Sequence, residues 1–170
     1  MHGVTTIYTG VERQIMYRIL CPIDTSETRA RAQAKAILDF PGEPGEVDVD
    51  VVHIRQDARG ADGDWAAGGF AEEYAEAMDD IADRSLPGAV DHVTDEFDAA
   101  GVEYTIYEAQ GDPAETILTF AADRGCDMIV IGARRRSPVG KVLFGSVAQG
   151  VILDSSCPVT VVPGNSADTE

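Results

Sequence analysis

"IGARRRSPVGKVLFGS", residues Ile131–Ser146, begins at the end of an apolar run, passes three arginines and a lysine, and closes on Gly145-Ser146 before the helical pattern "SVAQGVILDSS". Such a stretch reads as a strand that runs into a glycine-spaced loop and then opens a helix. Four of the thirteen basic residues of the chain lie here, Arg134, Arg135, Arg136 and Lys141. Gly132, Gly140 and Gly145 let backbone approach a ligand closely, and the free N–H groups and dipole of the helix opened by Gly145-Ser146 favour an anion. The same spacing also fits a structural strand-to-helix turn with its arginines solvated. Two phosphate motifs are excluded by counting. A Walker loop ending at Gly140-Lys141 would need Gly at 135 and Ser or Thr at 142, where the chain has Arg135 and Val142. No Gly-x-Gly-x-x-Gly follows the first strand.

Outward from this loop, five short apolar runs read as buried strands: Tyr17–Ile23, Val47–Ile54, Val102–Glu108, Asp127–Gly132 and Pro158–Pro163. Helical patterns lie between them. Ser26 is placed to cap "ETRARAQAKAILDF", which "PGEPG" closes. "FAEEYAEAMDDIADRS" and "GAVDHVTDEFDAAG" form an acidic helical region, carrying apolar Ile81, Val90, Val93 and Phe97, that Pro87-Gly88 should break. Asp112 caps "PAETILTFAADRG", with Pro113 at its first position and Gly125 at its end. Strands alternating with helices imply right-handed crossovers and an α/β fold, a single open parallel sheet with helices on both faces. The segment Gln56–Gly69, with Trp65, reads as a flexible surface loop.

The totals narrow the function. A chain of 170 residues suits one domain, and 30 Asp and Glu against 13 Lys and Arg give a net charge of -17. That charge argues against nucleic acid or an anionic membrane as partner. An Asp-rich surface with two lysines, Lys35 and Lys141, fits a protein kept soluble in concentrated salt, which we read as a halophilic cytoplasm. Cys21, Cys126 and Cys157 have no metal-ligand spacing and read as small buried hydrophobes. No run approaches the length that crosses a bilayer, and residues 1–15 lack the pattern of a signal peptide. They read as an extension, or as sequence upstream of the true start, ahead of a domain over 16–164 and a tail over 165–170.

In a doubly wound sheet, ligands bind beyond the carboxyl ends of the strands where strand order reverses. That rule selects Asp24, His53-Ile54, and Gly132 onward. An acidic residue just before a helix, such as Asp24, is also commonly a cap or dipole partner. His53 reads as a packed strand-end histidine, with no base or metal partner, and is assigned no chemistry.

"ILCPIDTSE", the "VVHI" strand end, "QGDPAETI", "IGARRRSPVGKVLFGSVAQGVI" and "SSCPVTVVP" occur in order over nearly all of Tyr17–Pro163, and together they resemble the universal stress protein family. The resemblance implies a five-stranded parallel sheet of order 3-2-1-4-5, an adenine nucleotide alpha hydrolase-like arrangement, and homodimers through the last strand, Pro158–Val162. It implies ATP, with Mg²⁺ or Mn²⁺, as cofactor. Pro22, Ile23, Asp24 and Ile54 match positions that hold adenine and ribose; Gly132, Arg134, Gly145, Ser146 and Val147 match the phosphate side. The ATP-binding branch carries Gly, two residues, Gly, nine residues, Gly, then Ser or Thr, and Arg135 stands where the second glycine belongs. If the family's second glycine adopts positive φ or lets a phosphate oxygen touch its amide, Arg135 costs strain or blocks the approach; its guanidinium could instead supply a charge-assisted contact to the phosphates. Hence the alternative is a non-nucleotide interaction module of the same fold. With no nucleophile, general base or carboxylate pair near the loop, no catalytic or resident metal residues are expected, and at most slow ATP hydrolysis.

Overall fold

The computed structural model describes residues 16–56, 86–135 and 142–164. The expected N-terminal extension, the loop with Trp65, the helix over 70–85, Ile81, Arg136 to Lys141 and the tail lie outside the described residues. The elements run β1 (Tyr17–Pro22), α1 (Glu27–Leu38), β2 (Val47–Arg55), α2 (Gly88–Ala100), β3 (Glu103–Gln110), α3 (Pro113–Arg124), β4 (Met128–Arg135), β5 (Val142–Leu143), α4 (Ser146–Asp154) and β6 (Val159–Pro163).

Side chains alternate across a strand, so each strand feeds two cores. Ile19 and Cys21 of β1, Val49 and Val51 of β2, and Met128 and Val130 of β4 pack with Ala30, Ala34 and Ile37 of α1 and with Val90, Val93 and Phe97 of α2. Leu20, Val52, Ile129 and Ile131 point the other way, onto Ile117 and Ala121 of α3 and Ala148 and Val151 of α4. Thus α1 and α2 cover one face and α3 and α4 the other. The parallel strands lie in the order β3-β2-β1-β4-β6, the 3-2-1-4-5 arrangement when the five parallel strands are counted alone. Among the described residues no helix is long and apolar enough to cross a membrane.

The helix ends follow the local chemistry. Ser26 accepts from the Arg29 amide, and Asp112 from the Glu115 amide at 3.0 Å with Pro113 behind it. Gly101 and Gly125 end α2 and α3 at φ 71° and 61°, where a side chain would strain the backbone. Pro87 stands immediately before α2. One boundary differs from the sequence reading: β4 continues past Gly132 to Arg135, because Arg134 and Arg135 pair antiparallel with Leu143 and Val142. The loop after the fourth strand therefore starts as a ladder.

Cys21 is fully buried, and loss of solvation pushes its thiol up to about 12 from 9.0; burial, then the Asp50 charge, push Cys126 to about 11. A thiolate is the reactive form. In the folded protein at pH 8, a thiol-disulfide reagent is expected to titrate Cys157 alone, which is partly exposed, and all three thiols after unfolding. Three equally fast thiols in the native state would contradict this burial. Because the folded thiols hold protons that the unfolded chain releases, stability should fall as pH rises above about 9 toward 12.

Candidate functional site

The chain leaves β1 for α1 on one face, and leaves β4 for α4 on the other. Since β1 and β4 are neighbours, their carboxyl ends part, and a cavity of about 530 Å³ opens between them. Gln33, 2% exposed, holds the floor of the split: its Nε2 donates to the carbonyls of Pro22 at 2.8 Å and Val130 at 3.0 Å. One buried amide thereby serves acceptors on two neighbouring strands.

The wall after β1 is a turn held at three points. The Ile23 amide donates to the Val52 carbonyl at 2.8 Å, and Nδ1 of His53 lies 2.9 Å from the Ile23 carbonyl. A carbonyl can only accept, so this nitrogen carries the proton. Asp24 Oδ1 accepts from the Ser26 amide at 2.8 Å, while Oδ2 accepts from both Nε and Nη2 of Arg29. Asp24 is thus a turn and ion-pair residue, as an acid ahead of a helix often is, and its carboxylate stays half exposed to the cleft. His53 packs at the strand end, as the sequence suggested, yet it orients the turn that carries Asp24.

Across the cleft, Gly145 caps α4 with no side-chain hydrogen bond. A nine-residue helix with an uncapped N-terminus presents amides and a partial positive charge. Gly145 and Ser146 are exposed there, with Val147 beside them.

Of the residues selected from the sequence, Pro22, Ile23, Asp24, Ile54, Gly132, Gly145, Ser146 and Val147 all border this one cavity. Arg134 and Arg135 are placed by backbone only, on the β4 extension that leads away from Gly132. Arg29, Gln33 and Arg55 border the cavity without having been singled out. Arg29 and Gln33 are four apart on α1, one helical face, and that spacing after Asp24 was the available signal. Arg55 pairs with Glu108 at 3.1 Å.

Known proteins share this fold. The universal stress protein MJ0577 of Methanocaldococcus jannaschii is 27% identical to the chain, over 87% of it and 96% of MJ0577. Its solved structure, superposed at 23% identity, gives a TM-score of 0.65 over 90% of this chain and 99% of that one. The universal stress protein from Archaeoglobus fulgidus in complex with dAMP is 26% identical, with a TM-score of 0.50 over 87% of this chain and 98% of that one. YxiE of Bacillus subtilis is 24% identical over 85% of the chain and 97% of its own length. The match to a Mycolicibacterium smegmatis universal stress protein is more local, 40% identity over 58% of that protein. The family pattern itself extends over residues 16–163, from the first residue before β1 to the last of β6, so the switch-point cleft and every described strand fall within it, and the chain belongs to the universal stress protein family.

Proposed function

We propose that the chain binds an adenine nucleotide, ATP in particular, in the cleft between β1 and β4, and serves a stress response as a homodimer. The observation that carries this reading is the convergence of Asp24 and Ile54, Gly132, and the uncapped start of α4 on one cavity. Adenine would lie against Pro22, Ile23 and Ile54, ribose hydroxyls would donate to Asp24, and phosphate oxygens would accept from the amides of Gly145, Ser146 and Val147 and the Ser146 hydroxyl. Arg134 and Arg135 are proposed on the phosphate side. The dAMP complex of the Archaeoglobus fulgidus relative supports an adenine nucleotide as ligand class.

A divalent ion, Mg²⁺ or Mn²⁺, would enter with the triphosphate, its ligands mostly phosphate oxygens and water. Among the described residues no group of three His, Cys, Asp or Glu gathers to hold a metal. The dimer would form along β6, which pairs with β4 on one side and with no other described strand.

Equilibrium titration with ATP and AMP in molar salt tests the reading. Saturation below millimolar nucleotide is expected; a folded protein with no saturable signal at millimolar ATP and AMP refutes it. One observation favours the non-nucleotide interaction module instead: Arg135 pairs with Val142 where the family's second glycine would stand. On that reading the protein purifies empty, and Arg135→Gly improves nucleotide affinity.

A further inference from the structure

Arg29 stands in the first turn of α1, and the backbone opposite it is shaped to receive a long side chain. A Cβ on Gly132 would lie 3.0 Å from both Cβ and Cδ of Arg29, and one on Gly164 would lie 3.2 Å from its Cγ. The aliphatic stem therefore rests in a trough made by two glycines, one within β4 and one just after β6. Only 18% of the side chain is exposed. The guanidinium emerges at Asp24, where Nε donates to Oδ2 at 2.8 Å and Nη2 joins it on the same oxygen.

A guanidinium has five N–H groups in one plane. Two are taken by Asp24. The other three lie on the edges turned from that carboxylate, and among the described residues nothing accepts from them. A stem fixed by packing and a plane fixed by Asp24 leave little rotamer freedom to lose when an anion arrives. Arg29 and the start of α4 border the same cavity, so an oxyanion between them would meet donors from both walls.

We infer that Arg29 reads the ligand's phosphate: Asp24 holds its plane and offers its own oxygens to hydroxyls, while the remaining N–H groups donate to an anionic oxygen. This rests on the adenine-nucleotide reading above. It sets the specificity of the cleft for nucleotides over nucleosides.

The test is a titration of adenosine and of AMP into the full chain and into Arg29→Met, Asp24→Asn and the double variant, with thermal unfolding run beside each. The wild type is expected to prefer AMP by about tenfold or more, the scale of a charge-assisted hydrogen bond. Arg29→Met should bring that preference to within about twofold through weaker AMP binding, with adenosine little changed. Asp24→Asn should keep the preference, and the double variant should lack it. A double variant that regains the preference would mean that Arg29→Met acted by baring the Asp24 charge, and the inference falls. It falls equally if adenosine and AMP weaken together, or if the ratio stays at the wild-type value. Should Arg29→Met not fold, Arg29→Lys, with charge but no fork, must lower the ratio by about threefold or more; an unchanged ratio overturns the proposal. A wild type that binds neither compound sinks the nucleotide reading and this inference together, whereas binding with no dependence on Arg29 sinks the inference alone.

Discussion

Gly132→Val is expected to abolish ligand binding and to lower stability by about 1–3 kcal/mol, the range for overpacking a well-filled site. A Cβ there would sit 3.0 Å from Arg29 Cβ, an atom anchored to α1, and 3.1 Å from Oε1 of Gln33. Neither neighbour can yield freely. Gln33 donates to the Pro22 and Val130 carbonyls, and pushing it aside would take a donor from two acceptors beneath the cleft. The two further methyls of valine add to that first clash. Moving α1 outward instead would carry Arg29 and the Asp24 turn away from the start of α4. Gly45→Ala, just before β2 and outside the cavity lining, is the control, since a Cβ on Gly45 meets nothing within 4 Å. Denaturant unfolding and nucleotide titration of both variants check the pair of expectations, and a Gly132→Val protein of unchanged stability that still binds would show that α1 is not held where the structure puts it.

Gly132 also marks how far the sequence could be read. Its place at the end of a Val and Ile run, ahead of a helix, revealed the strand and the cleft, because burial on both faces of a parallel sheet leaves an unbroken apolar signal. Why it must be glycine was not legible. The sequence reading reserved the space for a ligand, whereas the described contacts fill it with side chains from α1, a hundred residues away in the chain. Caps behaved differently: Ser26, Asp112 and Gly125 act on backbone within a few residues, so local rules located them. Asp24 lay between these cases. Its cap-like role was readable from position, but its pairing with Arg29 needed the turn of α1 that brings residue 29 back over it.

Arg135 carries a related lesson. The choice between a strained residue and a phosphate ligand assumed that the chain turns at once after Gly132. Two more paired residues on β4 remove that premise, since an extended strand accepts arginine without strain. The ladder with Val142 and Leu143 depends on pairing across a six-residue gap, and no periodicity in a two-residue strand could announce it. What the substitution does to nucleotide affinity thus turns on the backbone amides and the arginine charge, which Arg135→Gly separates from any effect on the fold.

At the opposite end of the sheet, Asp50→Ala is expected to lower stability by about 3 kcal/mol, from hydrogen bonds between charged groups lost in a buried site. Asp50 is 0% exposed in the middle of β2, an acid in a strand that otherwise feeds the core. Its two oxygens accept from Nε and Nη2 of Arg124 at 3.1 and 3.2 Å. Arg18 approaches from β1, with Nε 4.0 Å from the same carboxylate. That Nε is buried and has no hydrogen-bond partner, so the Asp50 charge is its main compensation. The rest of the Arg18 fork donates to the Arg124 carbonyl at 3.0 Å and to Asp48 at 3.3 Å, while Arg124 lies over the Tyr107 ring at 5.1 Å. Removing the carboxylate leaves two cations facing each other across a cavity. Asp50→Asn should fall between, because the amide keeps the volume and one acceptor. Since a buried ion pair repays its desolvation only in part, Asp50→Leu combined with Arg18→Met and Arg124→Met, which removes both cations that face the carboxylate, should recover most of what Asp50→Ala loses. Urea unfolding of the four proteins measures this, and nucleotide affinity measured below each midpoint should stay at the wild-type value, the network lying at the amino ends of the strands. If the triple replacement were as unstable as Asp50→Ala, the loss would come from packing around β2 and not from the stranded charges.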